Sequence, residues 1–363
     1  MLDLFSKEKV NTGRQVELDI AKALAIIFMI FLHTVMVVKG FNYSLTPAYD
    51  FVVSNVLGRP RAAPVFMFCM GVGVVYSRHS QWDVMIKRGV KLYLLGVLVN
   101  VFEFFLPGFL CRTLFGRWDI FPMAGGLLLF CVDILAFAGL AFIMMGILKK
   151  LDLSNKWMIV IAVAMSIIGT FARGFDFGSP ILNLFFANFI GSAGGFAAFP
   201  LFNWFIFPVA GFVWGQYFIR AKDKGQFFNL WIIYIFVASV YFYLTLHVSG
   251  SGVFSDNVHS YYFMTIIDAI FCIICTHGII GFCHWIVKFL PDKIIKVFSI
   301  MSSNITNIYI AQWFFIPLGV IFLAYFFRDL VFTNLGCTIY SIVILALSTG
   351  VALYYRKLTT RKN

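Results

Sequence analysis

Charge is what this sequence has least of. Only 12% of its 363 residues are Asp, Glu, Lys or Arg, about half of the roughly 25% carried by soluble domains. With 61% of residues hydrophobic, a soluble fold has no means of keeping that much apolar surface from water, so an ordinary globular class is excluded. Acidic residues are scarcer still, 16 against 28 Lys and Arg. No Pro/Ser-rich linker, composition break or internal repeat divides the chain, which points to one membrane domain over residues 1–363. The first apolar run is too long for the h-region of a cleavable signal and lacks a small-x-small exit.

Long apolar runs are what the chain has instead. They fall at 19–38, 56–77, 86–106, 123–148, 156–173, 200–219, 228–248, 263–287, 300–323 and 331–354, each near the ~20 residues that a bilayer-spanning helix needs. The expected fold is all-α, a polytopic integral membrane bundle of about ten transmembrane helices. The formal charge of +12 is distributed as topology. With the N-terminus inside, most Lys and Arg gather at the cytoplasmic ends of the runs, as the positive-inside rule requires. That arrangement leaves both termini cytoplasmic and argues against a nucleic-acid partner; the partner is the lipid bilayer.

Two interruptions, 107–122 and 174–199, are expected on the outside. The second holds Ile181 to Ile190, too short to span and read as an interfacial or re-entrant element. Gly191, Gly194 and Gly195 then form a flexible entry to the sixth run, where Gly211 and Gly215 favour close helix contact. Cys272 and Cys275 form a C-x-x-C inside an apolar run, and Cys283, His277 and His284 follow. At 100° per residue the cysteines share one face and the histidines another. Packing, with no metal, is the reading.

Lys22 and His33 are eleven residues apart on the first run. Eleven steps of 100° end about 20° past three full turns, so both lie on one face, roughly 16 Å apart along the axis. An ionisable group at that depth is costly and faces protein or a wet cavity. Glu103, Asp133, Asp268, Asn304 and Gln312 are further polar residues inside expected spans. Glu103 and Asp268 fall near the outer ends, at a depth like that of His33. A histidine with a carboxylate in an outer cavity suits general-base chemistry. The alternative is that each carboxylate pairs with an arginine and only locks helices.

Several segments resemble known sequence signatures. Arg14-x-x-x-Leu18-Asp19-Ile20-Ala21-Lys22, followed by apolar residues to His33, resembles the opening of the acyltransferase-3 superfamily. It is also similar to that of the heparan-α-glucosaminide N-acetyltransferase-like proteins. Ala62-Ala63-Pro64-Val65-Phe66-Met67-Phe68-Cys69-Met70-Gly71 looks like the second-span signature of the latter branch. Lys87-Arg88-Gly89-Val90-Lys91, with Leu95-Gly96 and Asn100, resembles the basic start of its third span. Asp133-Ile134-Leu135 with Gly139-Leu140, Phe199-Pro200-Leu201-Phe202-Asn203-Trp204 and Asn307-Ile308-Tyr309-Ile310-Ala311-Gln312-Trp313 continue the likeness in order. Lys22 stands where the family usually has arginine, keeping the charge but losing the planar fork. Ala23 replaces the usual glycine.

The resemblance implies an acyltransferase that takes an acyl group, often acetyl, from cytoplasmic acyl-CoA (acetyl-CoA). The acceptor is a hydroxyl or amine of a sugar or glycan on the other side, anionic or lipid-linked, in a bacterial inner (plasma) membrane. It implies His33 as the catalytic base or acyl carrier, with Glu103 or Asp268 orienting it. Gln312 or Asn304 would sit at the oxyanion and Asp133 among the substrate contacts. Lys22, Arg88 and Lys91 are the candidates for the donor phosphates. Arg59 and Arg61, with Arg112, Arg117 and Arg173, are candidates for an anionic acceptor, or else pair with Asp119, Asp176 and lipid headgroups. A secondary transporter and a non-catalytic relative are the rival classes. Oligomeric state, a homodimer included, is open.

Overall fold

The computed structural model describes residues 4–117, 119, 127–194, 197–247 and 261–360. Nearly all of its secondary structure is helical, and the strands are two residues each, Tyr43–Ser44 paired in parallel with Phe332–Thr333. Seven helices among the described residues are long and apolar enough to cross a bilayer: Val16–Val38, Trp82–Phe115, Asn155–Ala172, Lys224–Thr245, Ile266–Phe289, Ile305–Phe326 and Asn334–Thr359. Each coincides with one of the apolar runs.

The runs at 56–77, 123–148 and 200–219 instead carry shorter helices, and each has a local cause. The first begins only at Ala63 and ends at Tyr76, 14 residues, because a wide π turn over Val52–Gly58 and the segment around Pro60 precede it. The second is Ile134–Lys150, 17 residues, started by an extended Asp133. Val132 before it is held in a bridge with Ala197, its carbonyl accepting from the Ala198 and Phe199 amides at 3.0 and 2.9 Å. Residues 123–126 of that run lie outside the described residues. In the third, Leu201–Trp204 and Ile206–Phe218 are separate helices broken at Phe205. Pro208 has no N–H for the carbonyl four residues back, which favours a break at that point.

The described chain forms two compact units. One comprises Met1–Leu18, Ala63–Val97 and Phe130–Phe289; the other comprises Asp19–Ala62, Leu98–Leu129 and Leu290–Asn363.

The first unit is built on close backbone contact. A Cβ on Gly71 would lie 2.0 Å from the Pro208 carbonyl oxygen, and one on Gly211 would lie 1.9 Å from that of Phe68. Two glycines therefore let the Ala63–Tyr76 and Ile206–Phe218 helices touch at the main chain, as small residues do in membranes. The expected partner-seeking role of Gly211 thus has a definite partner. Trp204 is fully buried and donates from Nε1 to the Tyr262 carbonyl at 2.7 Å. Asn203 beside it donates to the Met264 carbonyl at 3.1 Å. The segment expected to be interfacial does form a short helix, Pro180–Ile190. Gly191 after it is no flexible entry: it ends the helix in the left-handed conformation (φ 65°), and a Cβ there would lie 1.9 Å from a Phe263 ring carbon.

The second unit carries Val16–Val38 from Asp19 onward, with Asp292–Ser303, Ile305–Phe326 and Asn334–Thr360. Pro317 sits inside the Ile305–Phe326 helix. The Tyr340 hydroxyl donates to the Phe315 and Ile316 carbonyls at 3.1 and 2.8 Å, satisfying main-chain groups next to the proline.

Candidate functional site

His33 lies near the C-terminal end of the unbroken Val16–Val38 helix. Its Nδ1 is 3.2 Å from Gln312 Nε2, and its ring stacks on Trp313 with centroids 4.3 Å apart and planes at 26°. Two consecutive residues of the Ile305–Phe326 helix thus hold the imidazole by an edge and by a face. Gln312 and Thr34 are fully buried and Trp313 nearly so, while His33 remains half-buried. The Gln312 amide atom turned away from His33, Trp313 Nε1 and Thr34 Oγ1 are buried polar atoms with no hydrogen-bond partner among the described residues. Buried polar atoms are nearly always paired, and three such atoms lie on or beside this one histidine.

The opposite end of the same helix is a second polar cluster. The Asp19 carboxylate accepts from Ser302 Oγ at 2.6 Å and Ser299 Oγ at 3.3 Å, and pairs with Lys22 Nζ at 3.3 Å. Asp19 meets Ser302 on the Asp292–Ser303 helix, and His33 meets Gln312 on the Ile305–Phe326 helix that follows it. Because Val16–Val38 is continuous, Lys22 and His33 keep the roughly 16 Å separation read from their spacing.

A family model for heparan-alpha-glucosaminide N-acetyltransferase, catalytic, matches residues 14–248. That stretch includes Lys22, His33, the Ala62–Gly71 signature, Asp133 and Trp204. The chain belongs to the heparan-alpha-glucosaminide N-acetyltransferase family. Among curated proteins, no relative matches. The late segment carrying Gln312 and Trp313 falls beyond the matched residues.

Membership in this membrane acetyltransferase family gives the remaining expected site residues a frame. Glu103 is buried on a wide π turn, Val101–Phe105, that follows the Trp82–Asn100 helix. Phe102 of that turn packs on Phe314 at 5.5 Å, so the turn lies against the helix bearing Gln312. Asn100, at the end of the preceding helix, donates to the Leu129 carbonyl at 2.8 Å.

Asn304 does not join His33. Its Nδ2 donates to the Ile300 carbonyl at 2.8 Å at the junction of two helices, eight residues and about 12 Å before Gln312. Asp268, in the other unit, is a helix-capping residue: it accepts from the Thr265 amide at 3.1 Å, Thr265 Oγ1 at 2.8 Å and the Tyr241 hydroxyl at 2.6 Å. It sits at a helix start, where a carboxylate suits the orphan amides.

Asp133 is buried at the start of the Ile134–Lys150 helix. Arg88 and Lys91 are exposed on the Trp82–Asn100 helix, Arg88 lying 4.7 Å over the Phe142 ring. Arg61 donates to the Val56 carbonyl and Arg59 follows the Val52–Gly58 turn. Arg173 donates to the Phe263 carbonyl at 3.2 Å. Arg117 pairs with Asp119 at 2.6 Å and holds that carboxyl below its ordinary range. The Arg117–Asp119 pairing was the structural alternative to acceptor binding.

Trp313 and the serines at 299 and 302 were not singled out from the sequence. Trp313 had a signal, its place directly after Gln312; the serines had none. Lys224 bonded to Glu17 at 2.8 Å was likewise missed, because a single acidic residue at a span's end is unremarkable in sequence.

Proposed function

We propose that this protein is a membrane acyltransferase that moves an acyl group, acetyl in the first instance, from cytoplasmic acyl-CoA to a sugar. The acceptor is a hydroxyl or amine of an extracytoplasmic or lipid-linked sugar. The observation that carries the reading is the His33–Gln312–Trp313 cluster in a chain of this family. His33 removes the acceptor proton as oxygen or nitrogen attacks the thioester carbonyl. The tetrahedral oxyanion collapses, the carbon–sulfur bond breaks, and the thiolate of CoA takes the proton back from His33.

Gln312 sets which ring nitrogen does this. With the amide oxygen turned toward the ring it accepts from Nδ1–H, and Nε2 is left as the base; amide oxygen and nitrogen are interchangeable in shape. Trp313 fixes the plane of the ring. Glu103 is the carboxylate candidate that shares a unit with His33, and Asp268 is assigned to capping. Lys22 is the donor-side candidate on the same helix, with Arg88 and Lys91 to be tested separately. Arg59 and Asp133 are retained as acceptor-side candidates. The topology proposed is ten spans with both termini cytoplasmic, the three short helices completing the seven long ones, and the two units making one membrane domain.

The test is transfer from acetyl-labelled acetyl-CoA to a sugar panel by the purified protein, with thermal stabilisation by acetyl-CoA read in parallel. His33→Ala is expected to lose transfer while keeping fold and donor stabilisation. Turnover near wild type in His33→Ala sinks the catalytic assignment. Failure of acetyl-CoA to stabilise the wild type shifts the reading to a transporter or a non-catalytic relative.

A further inference from the structure

Away from His33, the unit formed by Met1–Leu18, Ala63–Val97 and Phe130–Phe289 contains a cavity of about 170 Å³ lined by Trp214, Phe227, Phe228, Trp231, Tyr234 and His277. It is smaller than the roughly 300–1,000 Å³ of sites for drug-sized ligands. All six lining residues are ring systems, and no Asp, Glu, Lys or Arg is among them.

Glycines explain how the walls meet. A Cβ on Gly281 would lie 2.3 Å from Trp231 Cβ, and one on Gly278 would lie 2.9 Å from Ile235 Cγ1. Their bare backbone brings the Trp231–His247 helix hard against Ile266–Ile286 and sets Trp231 and Tyr234 on the His277 side.

The wall angles decide what shape fits. Phe227 and Phe228 are inclined at 86°, Trp214 and His277 at 78°, Tyr234 and His277 at 67°, Trp214 and Phe227 at 66°, and Trp214 and Phe228 at 42°, so none of these pairs is parallel. A flat base needs two parallel faces; walls at steep angles surround a compact group from several sides.

The electronic character follows from the same residues. Aromatic faces are the negative part of a ring's quadrupole. His277 Nδ1 lies 2.7 Å from the Ile273 carbonyl, which can only accept, so Nδ1 carries the proton and Nε2 of the neutral ring carries a lone pair. With ring faces and that lone pair turned inward, such a lining attracts a cation, yet it offers no carboxylate to a primary ammonium, which needs acceptors for its N–H groups. A quaternary ammonium has none to satisfy, and aromatic cages are how proteins recognise it.

We propose that this cage binds a quaternary ammonium group, such as the trimethylammonium of choline or of a phosphocholine headgroup.

The test uses the full-length protein in a choline-free maltoside detergent, with binding read by tryptophan fluorescence and thermal shift. Choline is compared with 3,3-dimethylbutan-1-ol, its neutral isostere. Choline is expected to bind on the order of tenfold tighter or more, since only the charge differs. This comparison needs no variant. Trp214→Leu and Trp231→Leu are expected to weaken choline binding by about tenfold, and Tyr234→Phe to retain it, because the face and not the hydroxyl is used.

Equal affinity for choline and the isostere overturns the proposal, leaving an apolar pocket. So does the absence of choline binding to the folded wild type, or binding of AMP in its place. Nanodiscs separate the sources. Free choline excluded by phosphatidylcholine discs but not by phosphatidylglycerol discs identifies a lipid headgroup, and equal binding in both identifies a free solute; either upholds the cage.

Discussion

Replacing Gln312 by leucine removes its hydrogen bond to the His33 ring edge and leaves the space filled. The energetic consequences for folding and for catalysis are far apart. In the folded protein the Gln312 amide makes a 3.2 Å contact to Nδ1, and its other polar atom is buried without a partner. Leaving His33 Nδ1 without its partner costs about 1–3 kcal/mol, while removing an unpaired buried polar atom returns a similar ~1–3 kcal/mol of desolvation penalty. The net effect on stability is therefore within about 1 kcal/mol of zero. Catalysis has no such compensation. Without an acceptor at Nδ1–H, the imidazole is free to place its proton on Nε2, and the base is absent for part of the time and misoriented for the rest. General-base catalysis is worth roughly 10²–10⁴-fold, so kcat is expected to fall by at least about a hundredfold. Gln312→Glu, whose carboxylate can only accept, restores the tautomer and recovers part of the loss. The assay is single-turnover acetyl transfer beside thermal unfolding in the same detergent. A Gln312→Leu protein with kcat within about threefold of wild type refutes the tautomer argument; an unfolded one refutes the packing argument.

Gly71→Ala and Gly211→Ala each force a methyl to within 2.0 Å or less of a backbone carbonyl, so each is expected to lower the melting temperature by the equivalent of about 3 kcal/mol or more. Gly73→Ala, with nothing within 4 Å, is the near-neutral control in the same thermal assay. Lys22→Ala leaves the Asp19–Ser302 hydrogen bond in place and is expected to weaken acetyl-CoA stabilisation without unfolding the protein; unchanged stabilisation removes Lys22 from the donor site. Asp176 is held below the usual carboxylate range by hydrogen bonds from Asn183 Nδ2 and the Gly178 amide. Its folded pKa is the lower one, so its contribution is present above the unfolded value of about 3.9 and is lost as pH falls through the folded value. Amide-exchange protection of residues 174–183, relative to the unstructured rate at each pH, is expected to fall below about pH 4, and Asp176→Asn to flatten that response.

Much of this protein was legible before any coordinates. Apolar runs with little charge read as membrane helices, and seven of them stand as long helices. The Lys22–His33 register was legible because it depends only on the pitch of one uninterrupted helix. The motif order was enough to suggest the family that the matched residues 14–248 confirm. The three shortened helices were not legible, since hydropathy measures what lipid or protein will accept and says nothing of where a chain breaks. Their breaks come from Pro208, from the bridge at Val132 and from the turn before Ala63.

The candidate site divides along the same line. His33 was singled out because an ionisable group deep in an apolar helix is costly wherever the helix packs, a property of the residue and its neighbours in sequence. Which polar group meets it was not found: Gln312 and Asn304 looked equivalent, and so did Glu103 and Asp268. Only the packed helices distinguish them, because a hydrogen bond needs contact between elements far apart in the chain. Packing puts Gln312 and Trp313 on the His33 ring, and spends Asn304 on a helix junction and Asp268 on a helix cap. Sequence by itself determined the apolar runs and the helical class and singled out one histidine, all of which follow from local transfer energies and helix pitch. Tertiary structure alone decided the partners, because contact in space is set by close packing that no local pattern encodes.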